Sequence, residues 1–314
     1  MNSIAIQTEG LSRAFGTLLA VDHLSLQITA GSIFGFLGPN GSGKTTTIRL
    51  LLGLLESTDG SATVLGYDIR KQAALIRARS GALLEHNGLY LRLSAENNLD
   101  FYGEVSHIPV LKRKARIQEL LTHLELWERR KEMVGKWSRG MQQKLAVARA
   151  LLHHPDLVFM DEPTAGLDPL AASVLHKDLA SLAEKEGVTI FMTTHNLAEA
   201  EKLCQKVAVI RKGRLLATGP VESLRAQASG PRLEVVGSNF TTEALVNLKS
   251  RPEVLDISEN HNLLVINLRT DVDTSPLVAL LVEAGVRVGE VRRGKATLEE
   301  VFITLMEENK EAEA

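Results

Sequence analysis

The chain has 314 residues, enough for one large domain and a small one, with 44% hydrophobic residues, 24% charged residues and a net charge of −2. That balance excludes a protein held on nucleic acid or anionic lipid by bulk charge. Cys204 is the only cysteine, which excludes an internal disulfide or a cysteine-based zinc site and fits a reducing compartment.

The opening MNSIAIQTEG has neither the basic nor the apolar region of a signal peptide. No run of about 18 apolar residues, the length a spanning helix needs, occurs anywhere. The expectation is a cytoplasmic protein; if it works at a membrane, another chain supplies the spans. SIAIQ and DHLSLQI alternate apolar and polar residues, as half-buried antiparallel strands do. SIFGFLG and, further on, DLVFMD and VTIFMTTH are nearly continuous apolar runs. Such runs suit strands buried on both faces of a parallel sheet, with helical patterns between them as crossovers.

Between the strand SIFGFL and the helix TTIRLLLGLL stands GPNGSGKTTT, which satisfies G-x-x-x-x-G-K-[ST] with Gly38, Gly43, Lys44 and Thr45 in register. Glycines let backbone N–H groups curl around a phosphate, and the helix N-terminus adds the positive end of its dipole. Lys44 can reach β- and γ-phosphate oxygens, and the Thr45 hydroxyl can ligate Mg²⁺. Gly38, Pro39, Asn40, Gly41, Ser42, Gly43, Lys44, Thr45 and Thr46 are the predicted nucleotide-binding set.

Residues 90–153 read as a helical insert, with Leu and Ala at three- and four-residue spacings. Inside it, KWSRGMQQKLAVARALLHH is an amphipathic helix whose Ser138 reads as an N-cap. His153 and His154 end it before Pro155, where imidazole suits the dipole. LVFMDE then places two carboxylates at a strand end. Asp161 can hold Mg²⁺ through water, and Glu162 can polarise a water for in-line attack on a γ-phosphate. The N-K-x-D guanine motif of GTPases is missing.

VAVIRKGRLLATG reads as a strand pair, and the Gly-Pro at 230 and 231 marks a linker. Beyond it, RLEVVG, TTEALVNLKS, EVLDISEN, LLVINLRT, SPLVALLVEAG and VRVGEVRRG give the order β-α-β-β-α-β of a ferredoxin-like module, followed by a last helix. EENKEAEA reads as a frayed acidic tail.

GPNGSGKTT, WSRGMQQKLAVARALLHHPDLVFMDEPTAGLDP and TIFMTTH, in that order, resemble the ATP-binding subunit of an ABC transporter over roughly residues 1–225. The resemblance implies an α/β P-loop NTPase fold of ABC type: a mixed-sheet core, an antiparallel β-subdomain and a helical subdomain at about 90–153. The expected division is residues 1–225, a linker at 226–230, and an α+β accessory domain at 231–308. The family pairs two subunits, as a homodimer or with a second ABC subunit, around two ATP molecules. Each site uses one subunit's P-loop and the other's signature, here Trp137, Ser138, Arg139, Gly140 and Met141.

The same resemblance assigns further positions. Asp168 falls in the D-loop, which meets the opposite subunit. His195 matches the switch His, which hydrogen-bonds the γ-phosphate and orients the attacking water. Phe15 matches the aromatic that stacks on adenine, although stacking alone selects loosely between ATP and GTP. Two positions depart from the family. Arg139 replaces a Gly; function survives if its side chain points away from the dimer seam, and the interface weakens if the position needs positive φ. Glu85 stands where the Q-loop Gln belongs; a carboxylate could still ligate Mg²⁺.

GLYLRLSAENNLDFYG and the C-terminal module resemble the daunorubicin/drug-resistance exporter type. The expected function is ATP hydrolysis that drives a separate membrane permease, with the subunit peripheral on the inner membrane face and no nucleic-acid partner. One alternative is a non-transport ABC ATPase acting on ribosomes or DNA. Such proteins usually carry two nucleotide domains, a long coiled coil or zinc cysteines, none of which this sequence has. The other is an ABC protein impaired by Glu85 and Arg139, against which Lys44, Asp161, Glu162 and His195 are all present.

Overall fold

A computed structural model describes residues 3–85, 87–228, 230–294 and 296–311. Contact density divides the chain into two units, Met1–Pro220 and Val221–Ala314.

The first unit opens with two long strands, β1 (Ile4–Phe15) and β2 (Leu18–Thr29), paired antiparallel. Buried and exposed residues alternate along β2, so one face packs inward and one meets solvent. After β3 (Ile33–Leu37) and α1 (Lys44–Leu51), the strands β4 (Asp59–Val64) and β5 (Tyr67–Asp68) complete a sheet of order β2-β1-β4-β5.

Next come α2 (Ala73–Arg79) and β6 (Ser80–Leu83), then the helical stretch α3 (Ala95–Val105), α4 (Val110–His123) and α5 (Arg139–Leu151). Ser94 caps α3 and Ser138 caps α5, each accepting a backbone N–H three residues on. The unit closes with β7 (Leu157–Asp161), α6 (Pro169–Glu186), β8 (Thr189–Thr194), α7 (Leu197–Leu203), β9 (Lys206–Arg211) and β10 (Arg214–Pro220).

The central sheet has the order β10-β9-β3-β8-β7-β6, parallel except for β10. Its inner strands are the continuous apolar runs, and every residue of β3 and β8 is buried. Phe34, Phe36, Phe159 and Phe191 meet in its core. The P-loop, Asp161 and His195 all follow the carboxyl ends of adjacent parallel strands, where open α/β sheets present their ligand crevice.

The second unit begins with α8 (Val221–Ala228), so residues 226–228 of the expected linker are helical. It continues with β11 (Arg232–Ser238), α9 (Thr242–Lys249), β12 (Val254–Asn260), β13 (Leu263–Leu268), α10 (Ser275–Glu283), β14 (Arg287–Gly294) and α11 (Leu298–Glu311). The sheet order β12-β13-β11-β14 is antiparallel throughout, the ferredoxin-like arrangement. Its own core joins Leu233, Val235, Leu264 and Ile266 of the sheet to Leu248 of α9 and to Leu277 and Leu281 of α10.

Candidate functional site

The loop after β3 is shaped by its glycines. Gly43, the N-cap of α1, has φ +104°, and a Cβ there would collide with the Ala20 carbonyl oxygen. Gly38 has no room for a side chain either: a Cβ would lie 2.6 Å from Ser42 Oγ and overlap the Ile210 carbonyl. Ser42 Oγ is itself buried without a hydrogen-bond partner. Lys44 is only 6% exposed, and its ammonium donates to the Gly38 carbonyl at 2.9 Å and the Pro39 carbonyl at 3.2 Å.

Opposite the loop, the register of β7 and β8 sets Asp161 beside Thr193. Asp161 accepts from Thr45 Oγ1 at 2.7 Å through Oδ2 and from Thr193 Oγ1 at 2.5 Å through Oδ1. Glu162 leaves the strand at φ +50°, and its N–H donates to the Thr193 carbonyl and hydroxyl, both at 3.1 Å. This turn brings Glu162 within 3.4 Å of Lys44 Nζ on one side and 3.1 Å of His195 Nδ1 on the other. Thr193 and Glu162 thus fix one another, and the general-base candidate is held between a cation and an imidazole.

A cleft of about 1270 Å³ opens over these groups. Of the sequence-predicted residues, Phe15, Asn40, Gly41, Gly43, Lys44, Thr45, Thr46, Glu85, Trp137, Arg139, Asp161 and Glu162 line it. Gly38, Pro39 and Ser42 shape the loop from behind. Phe15 is half-exposed at the mouth, with the Arg13 guanidinium 4.6 Å from its ring centroid. Glu85 is exposed, and its carboxylate faces Arg49 Nη2 at 3.9 Å.

Ser138, Gly140, Met141, Asp168 and His195 do not line the cleft. Ser138 Oγ caps α5 by accepting the Met141 N–H at 3.3 Å, and Met141 Sδ accepts from Arg129 Nη1 at 3.2 Å. Asp168 caps α6, its Oδ1 accepting from the Leu170 and Ala171 N–H groups at 3.1 and 2.9 Å. Arg139 is helical, so its position needs no left-handed backbone. Its guanidinium lies over Gly166, where a Cβ would overlap it.

Sequence reasoning gave no role to Thr193, Gln143 or Lys212. Thr193 acts through β7–β8 pairing, which no local pattern reveals. Gln143 donates to the Pro163 carbonyl at 2.6 Å, and both Gln143 and Lys212 line the cleft. Behind Glu162, Thr164 Oγ1 donates to Glu199 Oε2 at 2.7 Å, with His176 Nε2 3.6 Å away. Burial alone would raise the Glu199 carboxyl, but the His176 and Thr164 contacts outweigh it and hold the pKa below the usual range.

A glycine-shaped loop with a buried lysine, two oxygen donors of the kind a hard cation takes, and a carboxylate beside an imidazole are the groups that phosphoryl transfer to water uses. The ABC transporter family profile matches residues 21–165, and the profile of the C-terminal domain of DrrA1-3-like ATP-binding proteins matches residues 219–306. The bacitracin transport ATP-binding protein BcrA of Bacillus licheniformis is 36% identical over 97% of this chain and 98% of its own length. The daunorubicin resistance ATP-binding protein DrrA3 of Streptomyces coeruleorubidus is 33% identical, over 97% and 96% respectively. Among solved structures, an ATP-binding subunit of an ABC transporter superposes with a TM-score of 0.64 at 29% identity, covering 71% of this chain and 92% of that one. The chain belongs to the ABC transporter ATP-binding proteins, and is an ATPase motor subunit of a transporter.

Proposed function

We propose that two copies of this chain, or one copy and a second ABC subunit, enclose two ATP molecules and drive a separate membrane permease that exports a drug-like or hydrophobic compound. The full-length likeness to a bacitracin transport protein and a daunorubicin resistance protein supports that class of cargo. No helix among the described residues is long and apolar enough to cross a membrane, which agrees with a subunit held at the inner face through its permease.

The observation that carries the hydrolytic assignment is Glu162, held between Lys44 and His195 at the floor of the cleft. Lys44 is already within reach of two carbonyls and a carboxylate; an incoming triphosphate competes for its ammonium and releases Glu162. Once released, Glu162 can accept the proton of a water lined up on the γ-phosphate, while His195 orients that water. Thr45 and Asp161, hydrogen-bonded at 2.7 Å, offer oxygen donors of the kind Mg²⁺ prefers and would hold that ion. Bound there, Mg²⁺ would neutralise charge on the β- and γ-phosphates. Phe15 supplies the face for adenine. Ser138 and Gly140, at the N-terminus of α5, serve the partner's γ-phosphate, with Met141 behind them and Asp168 across the seam. Glu85, which pairs with Arg49 here, takes the Q-loop place.

The test is Glu162→Gln, which keeps shape and removes the base. Hydrolysis is expected to fall by about 100-fold or more, with ATP still bound and an ATP-dependent dimer accumulating on a sizing column. A variant that hydrolyses at the wild-type rate would remove Glu162 from the mechanism. A wild-type protein without Mg²⁺-dependent hydrolysis, alone or with its permease, would point to an impaired regulatory protein.

A further inference from the structure

One face of α5 rests on the segment that follows Glu162. Gln143 donates to the Pro163 carbonyl at 2.6 Å, and Lys144 pairs with Asp178 of α6 at 3.1 Å. A Cβ on Gly140 would sit 3.4 Å from the Ala171 side chain, at the first turn of α6. Above these, the Arg139 guanidinium covers Gly166, the apex of the bend from Glu162 to Asp168, with Nη2 2.7 Å from where a Cβ would stand. Gly166 has φ +71° and no side chain, so the plane of the guanidinium can lie directly on its backbone. Within the bend the backbone is closed by two short turn bonds, Ala165 N–H to the Glu162 carbonyl and Leu167 N–H to the Thr164 carbonyl, both at 3.0 Å, while Gln143 holds its start at Pro163 and Glu199 holds Thr164. No acidic residue stands in the first turn of α5, so the helix offers Arg139 no carboxylate there and a cation at N1 opposes its dipole.

The geometry points to Arg139 as a positioning residue that clamps the Glu162–Asp168 bend to α5 within one chain. The inference rests on the proposed function in one respect: if α5 grips the partner's nucleotide, movement of α5 is passed through Arg139 to this chain's own Glu162, linking the two ATP sites. A flat, weakly hydrated guanidinium suits contact with a bare backbone, whereas a lysine ammonium does not. Arg139 is exposed, so replacing it leaves the core intact.

The experiment is hydrogen exchange, read by mass spectrometry, on nucleotide-free wild type, Arg139→Gly and Arg139→Lys, with steady-state ATPase kinetics of the same proteins. Peptides spanning 162–170 are expected to exchange about fivefold faster in both variants, with peptides over α1 unchanged. In the kinetics, kcat should fall roughly tenfold while KM for ATP stays within about twofold, and Lys should not restore it. Unchanged exchange at 162–170, a rise spread evenly over the chain, or full rescue by Lys, which would mark a simple charge on phosphate, would each overturn the clamp. A wild type without ATPase activity would sink the functional reading alone, since the exchange reports the clamp directly.

Discussion

Glu162 occupies the left-handed region at φ +50°, a conformation that costs a non-glycine residue about 1 kcal/mol or more. What holds it there is Thr193, which is fully buried and also donates to Asp161. Thr193→Val keeps the shape but leaves Asp161 Oδ1 without that donor, so unfolding free energy should drop by about 1–3 kcal/mol in denaturant titrations. ATP turnover should fall with it, since both carboxylates lose their alignment. His153 gives a pH prediction. Burial pushes its imidazole below the ordinary value, although Ser80 offers a carbonyl at 3.1 Å. The folded protein therefore keeps His153 neutral where the unfolded chain, with a pKa near ~6.5, takes up a proton. Its contribution is complete above that pH and is lost as pH falls towards the lowered folded value. Denaturation midpoints measured across that window should fall more steeply in wild type than in His153→Gln.

At the scale of elements, the site is only as firm as the parallel strands beneath it. Phe191 of β8 has ring centroids of Phe36, Phe159 and Phe34 at 5.4, 5.6 and 5.8 Å, and is itself fully buried. Phe191→Ala should lower stability by about 3–5 kcal/mol, because packing around a lost ring collapses only in part. A shift in denaturation midpoint without a change in ATP affinity of the surviving folded protein is the expected pair of readings. The buried strands were legible as uninterrupted apolar runs, and the P-loop as a motif with a strand before it and a helix after. The α8 helix was less legible: ASGP punctuates it so closely that VESLRAQ reads as an approach to a linker.

Over the whole molecule, the two units have separate cores, one around the central sheet and one in the ferredoxin-like sheet. A chain ending at Pro220 is expected to fold and to bind an ATP analogue within about twofold of the full chain. Equilibrium binding by fluorescence would check this, and aggregation of the truncated chain would show that the first unit leans on the second. ATPase rates of the same protein would show whether residues 221–314 regulate turnover.

The sequence alone determined which chemistry is present. Glycine, lysine and threonine at fixed offsets, and two acids after an apolar strand, are local facts, because each motif is one strand end and the turn after it. Tertiary structure decided how those pieces meet. That Thr193 braces both acids follows from the β7–β8 register, and that Arg139 lies on Gly166 follows from how α5 packs. Neither is encoded by spacing along the chain, since each contact joins segments whose separation in sequence says nothing about their distance in space.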